Sequence, residues 1–295
     1  MPEASPLPVD AVLPQLRAAL RAGRNAVLVA PPGAGKSTVV PLALLDETWS
    51  TGKRILLLEP RRLAARAVAA RMAQSLGERL GETVGYRMRL DTRVGPATRL
   101  EVVTEGILTR MLQQDPALEG VAAVLFDEFH ERSLHADLGL ALCREAQDSL
   151  GLPLKLLVMS ATLDAATVAS RLGDAPVIEA HGRVYPVDVH YLGRGLPQLP
   201  EQRTLGAREL APVAQQLRRV LDQTRGDVLV FLPGSPEIHR LREALQDLSS
   251  HGIELCPLYG ELDLAAQQQV LRPASTGRRK VILSTNIAET SLTIE

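Results

Sequence analysis

Short apolar runs rich in β-branched residues and leucine alternate along this chain with longer Ala-, Leu- and Arg-rich segments at helical spacing. This alternation is typical of parallel sheets whose strands are joined by crossover helices. It predicts an α/β fold with mainly parallel sheets. The runs that we expect to form strands in the first part of the chain are 26–30, 54–59, 99–104, 121–127, 154–160 and 177–180.

The alternation breaks at residues 183–207, where Pro and Gly become frequent, and then resumes. We therefore expect a first domain over residues 1–182, an extended linker over 183–207 and a second α/β domain over 208–295. Residues 285–295 follow an expected strand, and no helix or strand comes after them to finish the sheet, so the second domain is predicted to be incomplete at its C-terminus. Its expected strands are 227–232, 253–258 and 280–284, and its expected helices are 208–223, 236–249 and 263–271.

The composition excludes several classes of protein. A chain of 295 residues can hold about two domains with sizeable cores, and 45% hydrophobic residues exclude disordered and collagen-like chains. Cys143 and Cys256 stand alone, without the spacing of a disulfide framework or a zinc site, which favours a reducing, cytoplasmic location. No apolar run approaches the length of a membrane span, and the N-terminus lacks the pattern of a signal peptide.

The charge is balanced overall but not locally. The formal net charge is -1, yet residues 53–99 contain eleven Lys or Arg against four Asp or Glu, and residues 100–137 show the opposite bias. Solvated helix faces would explain this asymmetry, and so would a phosphate-binding surface beside a metal site. Motifs are needed to decide between them.

Residues 30–38 read Ala-Pro-Pro-Gly-Ala-Gly-Lys-Ser-Thr, between an expected strand and an expected helix. Glycines at 33 and 35 allow backbone N–H groups to wrap closely around an anion at a helix N-terminus. Lys36 would contribute a point charge to the β- and γ-phosphates, and the Ser37 hydroxyl would bind Mg²⁺. Ala30 replaces the first Gly of the GxxxxGK(S/T) pattern. The predicted ATP-binding residues of this loop are Gly33, Ala34, Gly35, Lys36, Ser37 and Thr38.

Asp127 and Glu128 follow the apolar run at 121–126. In a phosphate-loop protein, the first acid would hold Mg²⁺ through water, and the second would orient and deprotonate the water that attacks the γ-phosphate. Acid pairs at strand ends are often only helix caps, but the phosphate loop favours the catalytic interpretation. We therefore predict metal ligation by Ser37, Asp127 and Glu128, and catalytic roles for Lys36, Asp127 and Glu128.

A family resemblance extends this interpretation. Residues 127–133, Asp-Glu-Phe-His-Glu-Arg-Ser, resemble the DEAH box of the DEAH/RHA group of superfamily 2 helicases, with the phenylalanine of its bacterial HrpB-type branch. Residues 58–64 resemble motif Ia, and residues 104–106 resemble motif Ib. Residues 160–162 resemble motif III, and residues 285–294 resemble motif V. The resemblance covers almost the whole chain.

The resemblance implies two RecA-like domains that bind ATP and Mg²⁺ between them and single-stranded RNA across their top. It implies an ATP-dependent RNA helicase that moves along RNA and unwinds it. Contacts to phosphates position a strand without reading its sequence, so low sequence specificity and strong salt dependence are expected. The RNA-binding residues carried over by motif are Arg61, Arg62, Arg89, Thr104, Gly106, Thr285 and Asn286.

Other roles are implied in the same way. Ser291 is matched to a residue that reaches the attacking water, and Thr293 to one that reaches the nucleotide. Arg71 is matched to an arginine that holds the adenine. The residues implied to couple the nucleotide state to the second domain are His130, Ser160 and Thr162.

Family members continue into motif VI and further domains, which these residues do not include. Because an arginine finger of the kind in motif VI contributes about 10³ to 10⁵ in rate, we expect this piece to bind nucleotide and to hydrolyse it weakly. Two alternatives stay open: a DNA-directed superfamily 2 translocase, and a nucleotide-gated RNA-binding module without catalysis. A monomer is expected, and no protein partner is indicated.

Overall fold

The structure is a computed structural model that describes residues 6–161, 165–182, 187–191 and 205–290. The chain divides into two compact units, Met1–Tyr185 and Pro186–Glu295. Across the described ranges, no helix is both long enough and apolar enough to cross a bilayer. Of the expected linker at 183–207, only residues 187–191 and 205–207 are described.

The first unit contains an eight-stranded sheet in the order β4-β3-β5-β2-β6-β7-β1-β8. Neighbouring strands are parallel, except that β3 and β4 form an antiparallel hairpin. The mainly parallel α/β fold is therefore confirmed. The strands are β1 (Asn25–Val29), β2 (Arg54–Leu58), β3 (Val84–Met88), β4 (Asp91–Arg93), β5 (Leu100–Val103), β6 (Val121–Phe126), β7 (Lys155–Ser160) and β8 (Val177–Glu179).

Both faces of this sheet are buried, as the apolar runs indicate. In β2, Ile55 and Leu57 belong to one apolar cluster, whereas Leu56 and Leu58 belong to a second cluster. Successive side chains of a strand point to opposite faces, so the two clusters lie on opposite faces of the sheet. The helices of this unit are α1 (Leu13–Ala22), α2 (Val39–Leu44), α3 (Arg62–Ser75), α4 (Glu105–Gln114), α5 (Leu134–Ser149) and α6 (Ala165–Arg171), with 3₁₀ turns at Pro8–Ala11, Thr48–Ser50 and Phe129–Glu131.

The parallel strands direct their carboxyl ends to one edge of the sheet. The segments that follow β1, β2, β5, β6 and β7 therefore emerge together at this edge. These segments contain residues 30–38, 59–61, 104–106, 127–130 and 160–161. The fold thus brings separate sequence motifs to a shared edge, which we call the motif edge.

The β3–β4 hairpin was missing from the sequence prediction. Gly85 and Arg87 interrupt the apolar pattern of β3, and β4 is only three residues long with Asp91 and Arg93 at its ends. The hairpin turns at Arg89 and Leu90, and Leu90 has a left-handed φ of 65°. Such a φ is uncommon for leucine and gives no signal in the apolar pattern.

The second unit contains a three-stranded parallel sheet in the order β10-β11-β9. Its core includes Leu210, Leu217, Ile238, Leu241 and Leu283. The strands are β9 (Val228–Phe231), β10 (Ile253–Leu258) and β11 (Arg279–Ser284). The helices are α7 (Ala207–Gln223), α8 (Ser235–Ala244), α9 (Leu264–Leu271) and α10 (Ile287–Thr290), with a 3₁₀ turn at Gln246–His251.

One expectation for this unit was wrong. The helix expected at 236–249 ends at Ala244, because the polar stretch after Leu245 forms a 3₁₀ turn that closes at Gly252, with a left-handed φ of 78°. The chain also forms one more helical turn after β11, at Ile287–Thr290. Ile287 packs against an apolar cluster of this unit, which explains why this short polar-looking segment is ordered into a turn.

Candidate nucleotide and nucleic-acid site

The loop between β1 and α2 bends at two glycines. Gly33 and Gly35 have left-handed φ values of 72° and 95°. A Cβ atom at Gly35 would lie 2.9 Å from Val9 Cγ2, whereas a Cβ atom at Gly33 would have nothing within 4 Å. Gly35 is therefore required both by its conformation and by close packing, and Gly33 by its conformation alone.

Lys36 is buried, with 3% of its surface exposed. Its ammonium group donates to the C=O of Ala30 at 2.8 Å and to the C=O of Pro31 at 3.1 Å. The charged ammonium group therefore contacts the loop backbone and is shielded from solvent. A phosphate bound to Lys36 would take the place of these two carbonyl acceptors.

Asp127 lies directly after β6 and is buried, with 3% of its surface exposed. Its Oδ1 accepts the Glu128 N–H at 2.9 Å, whereas its Oδ2 is buried and has no hydrogen-bond partner among the described residues. Burial and the charge of Glu128 raise the pKa of Asp127 to about 6, and the Ser37 side chain and the Lys36 charge act in the opposite direction. Ser37, Lys36 and Asp127 thus lie close together.

Glu128 has a left-handed φ of 48°, which is uncommon for a residue other than glycine. Burial raises its pKa, the charge of Glu131 adds to this rise, and the charges of Lys36 and Arg61 oppose it. Glu128 is therefore within electrostatic reach of the phosphate-loop lysine. Strained backbone of this kind is often found at functional sites.

The donor set at this edge fits Mg²⁺. Magnesium prefers oxygen ligands and takes only one or two of them from the protein at phosphate sites. The Ser37 hydroxyl and the Asp127 carboxylate supply such oxygens, and the unpartnered Oδ2 of Asp127 is an atom that a cation would satisfy. Within the described ranges, no three His, Cys, Asp or Glu side chains form a separate metal-binding group.

Of the residues expected to couple the domains, His130 lies beside these carboxylates. The Nδ1 atom of His130 lies 3.3 Å from Glu128 Oε2 and 3.5 Å from the backbone nitrogen of Ala161. Ser160 is fully buried at the end of β7, and its C=O accepts the Ala30 N–H at 3.0 Å. These contacts thus connect the segments that follow β1, β6 and β7. Thr162 lies outside the described residues.

Five of the expected RNA-binding residues also emerge at the motif edge. Arg61 Nε lies 3.2 Å from Glu131 Oε2, and Arg62 donates to the C=O of Arg89 at 3.1 Å. Thr104 is the N-cap residue of α4, and its side chain makes no capping hydrogen bond. At the exposed Gly106, a Cβ atom would have no neighbour within 4 Å. The five residues are Arg61, Arg62, Arg89, Thr104 and Gly106.

The remaining candidates lie elsewhere. Thr285 and Asn286 follow β11 in the second unit, where Asn286 is exposed and the Thr285 N–H donates to the C=O of Leu258 at 3.2 Å. Arg71 is exposed on α3, about 13 Å along the helix from Arg62. Among the described candidates, Arg71 is separated from the nearest strand end by the longest stretch of helix. Ser291 and Thr293 lie outside the described residues.

Sequence reasoning gave no role to two acids at this edge. Glu59 is buried at the end of β2, and its pKa is raised well above the ordinary value by burial and by the charges of Asp127 and Glu128. Glu131 pairs with Arg61. Glu59 could have been found from the sequence, because it follows an apolar strand as Asp127 does. Glu131 could not, because its partner Arg61 is 70 residues away in the sequence.

Comparison with known families decides the assignment of the chain. The DEAD/DEAH box helicase family matches residues 12–170, and the helicase conserved C-terminal domain matches residues 212–295. The chain belongs to the DEAD/DEAH box helicase family. The family expected from the motifs is thereby confirmed.

Relatives of this helicase chain place it near the HrpB type. It is 53% identical to the ATP-dependent RNA helicase HrpB of Escherichia coli over 291 residues, which cover 99% of this chain and 35% of that protein. It is 37% identical to the human ATP-dependent RNA helicase DHX33 over 298 residues, which cover 98% of this chain and 41% of that protein. The crystal structure of the Escherichia coli DEAH/RHA helicase HrpB has a TM-score of 0.87 at 52% identity, covering 98% of this chain and 36% of that one. The chain thus spans about a third of the length of HrpB.

Proposed function

We propose that this chain is the ATP- and RNA-binding part of an ATP-dependent RNA helicase of the HrpB type. One observation carries the proposal: the unpartnered, buried Oδ2 of Asp127 lies in a cluster with Ser37 and Lys36. The names of the relatives, including HrpB and DHX33, support RNA as the substrate.

In the proposed mechanism, residues 33–38 bind the phosphates of ATP through backbone N–H groups and the charge of Lys36. Ser37, Asp127 and Glu128 would hold Mg²⁺, which neutralises charge on the phosphate oxygens when bound. Arg71 and Thr293 are proposed to contact the rest of the nucleotide.

Glu128 is proposed to orient the attacking water and to accept its proton. Its raised pKa makes the carboxylate a better base than an ordinary glutamate. Ser291 is proposed to assist at the same water. His130, Ser160 and Thr162 are proposed to pass the nucleotide state to the second unit, and the contact of His130 with both Glu128 and Ala161 supports a role of this kind.

Single-stranded RNA is proposed to bind through its phosphates. The shared edge of the sheet supports this role for five residues of the first unit, and the exposed Asn286 supports it for the second. Binding of this kind depends strongly on salt and weakly on sequence. The proposed contacts are Arg61, Arg62, Arg89, Thr104, Gly106, Thr285 and Asn286.

The chain taken alone is proposed to bind nucleotide and to hydrolyse it weakly. We also propose a monomeric protein in a reducing, cytoplasmic environment, which the two free cysteines, Cys143 and Cys256, support.

The test is ATPase activity of this chain with Mg²⁺, measured without nucleic acid and with RNA or DNA of equal length. We expect RNA to stimulate the rate more than DNA does, and Lys36→Ala to weaken nucleotide binding and to abolish turnover. Lys53→Ala is the matched control, because this exposed lysine precedes β2 at the opposite edge of the sheet.

The other outcomes favour the alternatives. Equal or greater stimulation by DNA would favour a DNA-directed translocase. ATP binding without any turnover at saturating RNA would favour a nucleotide-gated RNA-binding module. Nucleotide affinity unchanged by Lys36→Ala would contradict the phosphate-loop assignment.

A further inference from the structure

The segment from Glu128 to Arg132, which we call the carboxylate turn, has an unusual backbone. Both of its end residues are left-handed without being glycine, with φ values of 48° at Glu128 and 54° at Arg132. Such conformations persist only where the surroundings hold them in place. The contacts that hold this turn therefore determine where the Glu128 carboxylate sits.

An aromatic contact holds the turn against β6. Phe129 is buried, and its ring meets the ring of Phe126 edge-on at 6.2 Å between centroids. The guanidinium of Arg132 lies 5.9 Å from the centre of the Phe129 ring. The contact between the two rings anchors the turn to β6, and the cation–π contact of Arg132 with Phe129 joins the two ends of the turn.

A first polar bridge joins the turn to the loop after β2. Glu131 Oε2 accepts from Arg61 Nε at 3.2 Å, with 17% and 29% of these side chains exposed. Such partial burial reduces screening by salt. Arg61 also influences the pKa of Glu128, so it lies within electrostatic reach of both carboxylates.

A second polar bridge joins the residue after the turn to α4. The Ser133 hydroxyl donates to Glu105 Oε1, and Ser133 Oγ also accepts the Ala136 N–H at 2.9 Å as the N-cap of α5. Glu105 is the first residue of α4, between Thr104 and Gly106. The two bridges thus tie the segment that carries Glu128 to two loops of the motif edge.

Resting on the proposed function, we propose that Glu131 and Glu105 are positioning residues that couple RNA binding to nucleotide binding. RNA phosphates near Arg61 would compete with Glu131 for the guanidinium, and phosphates near residues 104–106 would repel the Glu105 carboxylate. Either change would alter a bridge to the carboxylate turn. A ligand shifts an equilibrium only through such differential contacts, and the coupling is reciprocal.

The test measures a coupling factor in this chain: the Kd for single-stranded RNA without nucleotide divided by the Kd with Mg²⁺ and a non-hydrolysable ATP analogue. Coupling factors of about 5 to 150 are usual for linked sites. We expect Glu131→Gln and Glu105→Ala each to bring the factor about threefold closer to 1, and the double variant to bring it about ninefold closer, or to 1 where the wild-type factor is about 9 or less. Nucleotide affinity in the absence of RNA should stay within about twofold of wild type.

Matched variants separate coupling from folding. Asp137→Asn removes a carboxylate that pairs with Arg132 at 3.1 Å and, among the described residues, forms no bridge to the loops after β2 and β5, so the factor should stay at the wild-type value. Ser133→Thr keeps the hydroxyl and the cap and should preserve coupling, whereas Ser133→Ala should reduce it. A thermal melt of each variant identifies any loss of folding. If Ser133→Ala or Glu105→Ala does not fold, the test rests on Glu131→Gln, which should reduce coupling, and on Ser133→Thr, which should preserve it.

The outcomes are distinct. A wild-type factor that is retained in the folded double variant would overturn the inference and leave the proposed function standing. A wild-type chain that binds both ligands with a factor of 1 would overturn it as well. A wild-type chain that binds neither ATP nor RNA would contradict the proposed function, and the inference with it.

Discussion

At the scale of single residues, the site is defined by buried polar groups that have few hydrogen-bond partners. The Lys36 ammonium group donates to two loop carbonyls, and Asp127 keeps one buried oxygen without a partner among the described residues. A buried polar group without a partner is destabilising, so such atoms indicate a ligand that satisfies them.

The two loop glycines should differ in their tolerance of a methyl group. Gly35→Ala adds both a strained φ and a clash with Val9, whereas Gly33→Ala adds only the strained φ. We expect Gly35→Ala to lower the free energy of unfolding by about 2 kcal/mol or more, and Gly33→Ala to lower it by about 1 kcal/mol. Urea denaturation of both variants measures the difference, and equal losses would show that the clash with Val9 is relieved at no cost.

Glu59 should make the stability of the first unit depend on pH. Burial and the charges of Asp127 and Glu128 raise the pKa of Glu59, so the folded state holds a proton that the unfolded state releases near pH 4.3, roughly the ordinary glutamate value. The folded chain therefore loses stability as pH rises above this value. We expect Glu59→Gln to be more stable than wild type at pH 8, with a gap that closes towards pH 4.

Thermal melts across this pH range measure the gap. The matched control is Glu119→Gln, an exposed glutamate that precedes β6 at the opposite edge. A stability gap at Glu59 that is independent of pH would contradict the assignment of a raised pKa.

At the scale of elements, the sequence predicts strands well where a strand is buried on both faces. The run at β6 is apolar throughout and the run at β2 is apolar after Arg54, and both were located to within a residue at each end. The β3–β4 hairpin was not predicted, because a glycine and an arginine interrupt β3 and β4 is very short, so no continuous apolar pattern remains. The phosphate loop and the acid pair were found because their chemistry is local in sequence. The Arg61–Glu131 and Ser133–Glu105 contacts were not found, because only the fold brings these residues together.

The carboxylate turn should depend on the apolar anchor beneath it. Phe129→Ala removes a buried ring that packs on Phe126, and a change of this kind costs about 3–5 kcal/mol. Phe231→Ala in the second unit is the matched control, because 52% of Phe231 is exposed, and it should cost about 1 kcal/mol or less. Guanidinium denaturation followed by circular dichroism measures both. Similar losses for the two variants would contradict the role of Phe129 as an anchor.

At the scale of the whole molecule, a net charge of -1 conceals a basic segment at residues 53–99. The fold places arginines of this segment beside the strand ends of the first unit, which gives a nearly neutral chain a local basic surface of the kind that the proposed RNA binding requires. The charge pattern alone left two explanations open, solvated helix faces, which are the commoner cause of charge runs, and phosphate binding. The fold favours phosphate binding for Arg61, Arg62 and Arg89, because all three lie at the motif edge.

The salt dependence of RNA binding should report these contacts. Each phosphate neutralised on single-stranded nucleic acid contributes about -0.7 to the slope of log K against log salt concentration. We expect Arg62→Ala and Arg89→Ala each to reduce the magnitude of the slope by about 0.7. Arg171→Ala is the control, because this exposed arginine ends α6, away from the motif edge, and should leave the slope unchanged. An equal change in all three variants would indicate a general charge effect.

The central claim is that Lys36, Ser37 and Asp127 converge on one magnesium-bound triphosphate. Calorimetric titration of the chain with a non-hydrolysable ATP analogue, with Mg²⁺ and with EDTA, tests this most directly. For wild type, Mg²⁺ should tighten binding. Asp127→Asn should lower the affinity in Mg²⁺ to the value in EDTA and leave the EDTA value unchanged, whereas Lys36→Ala should lower both. An Asp127→Asn variant that keeps the full effect of Mg²⁺ would contradict the account.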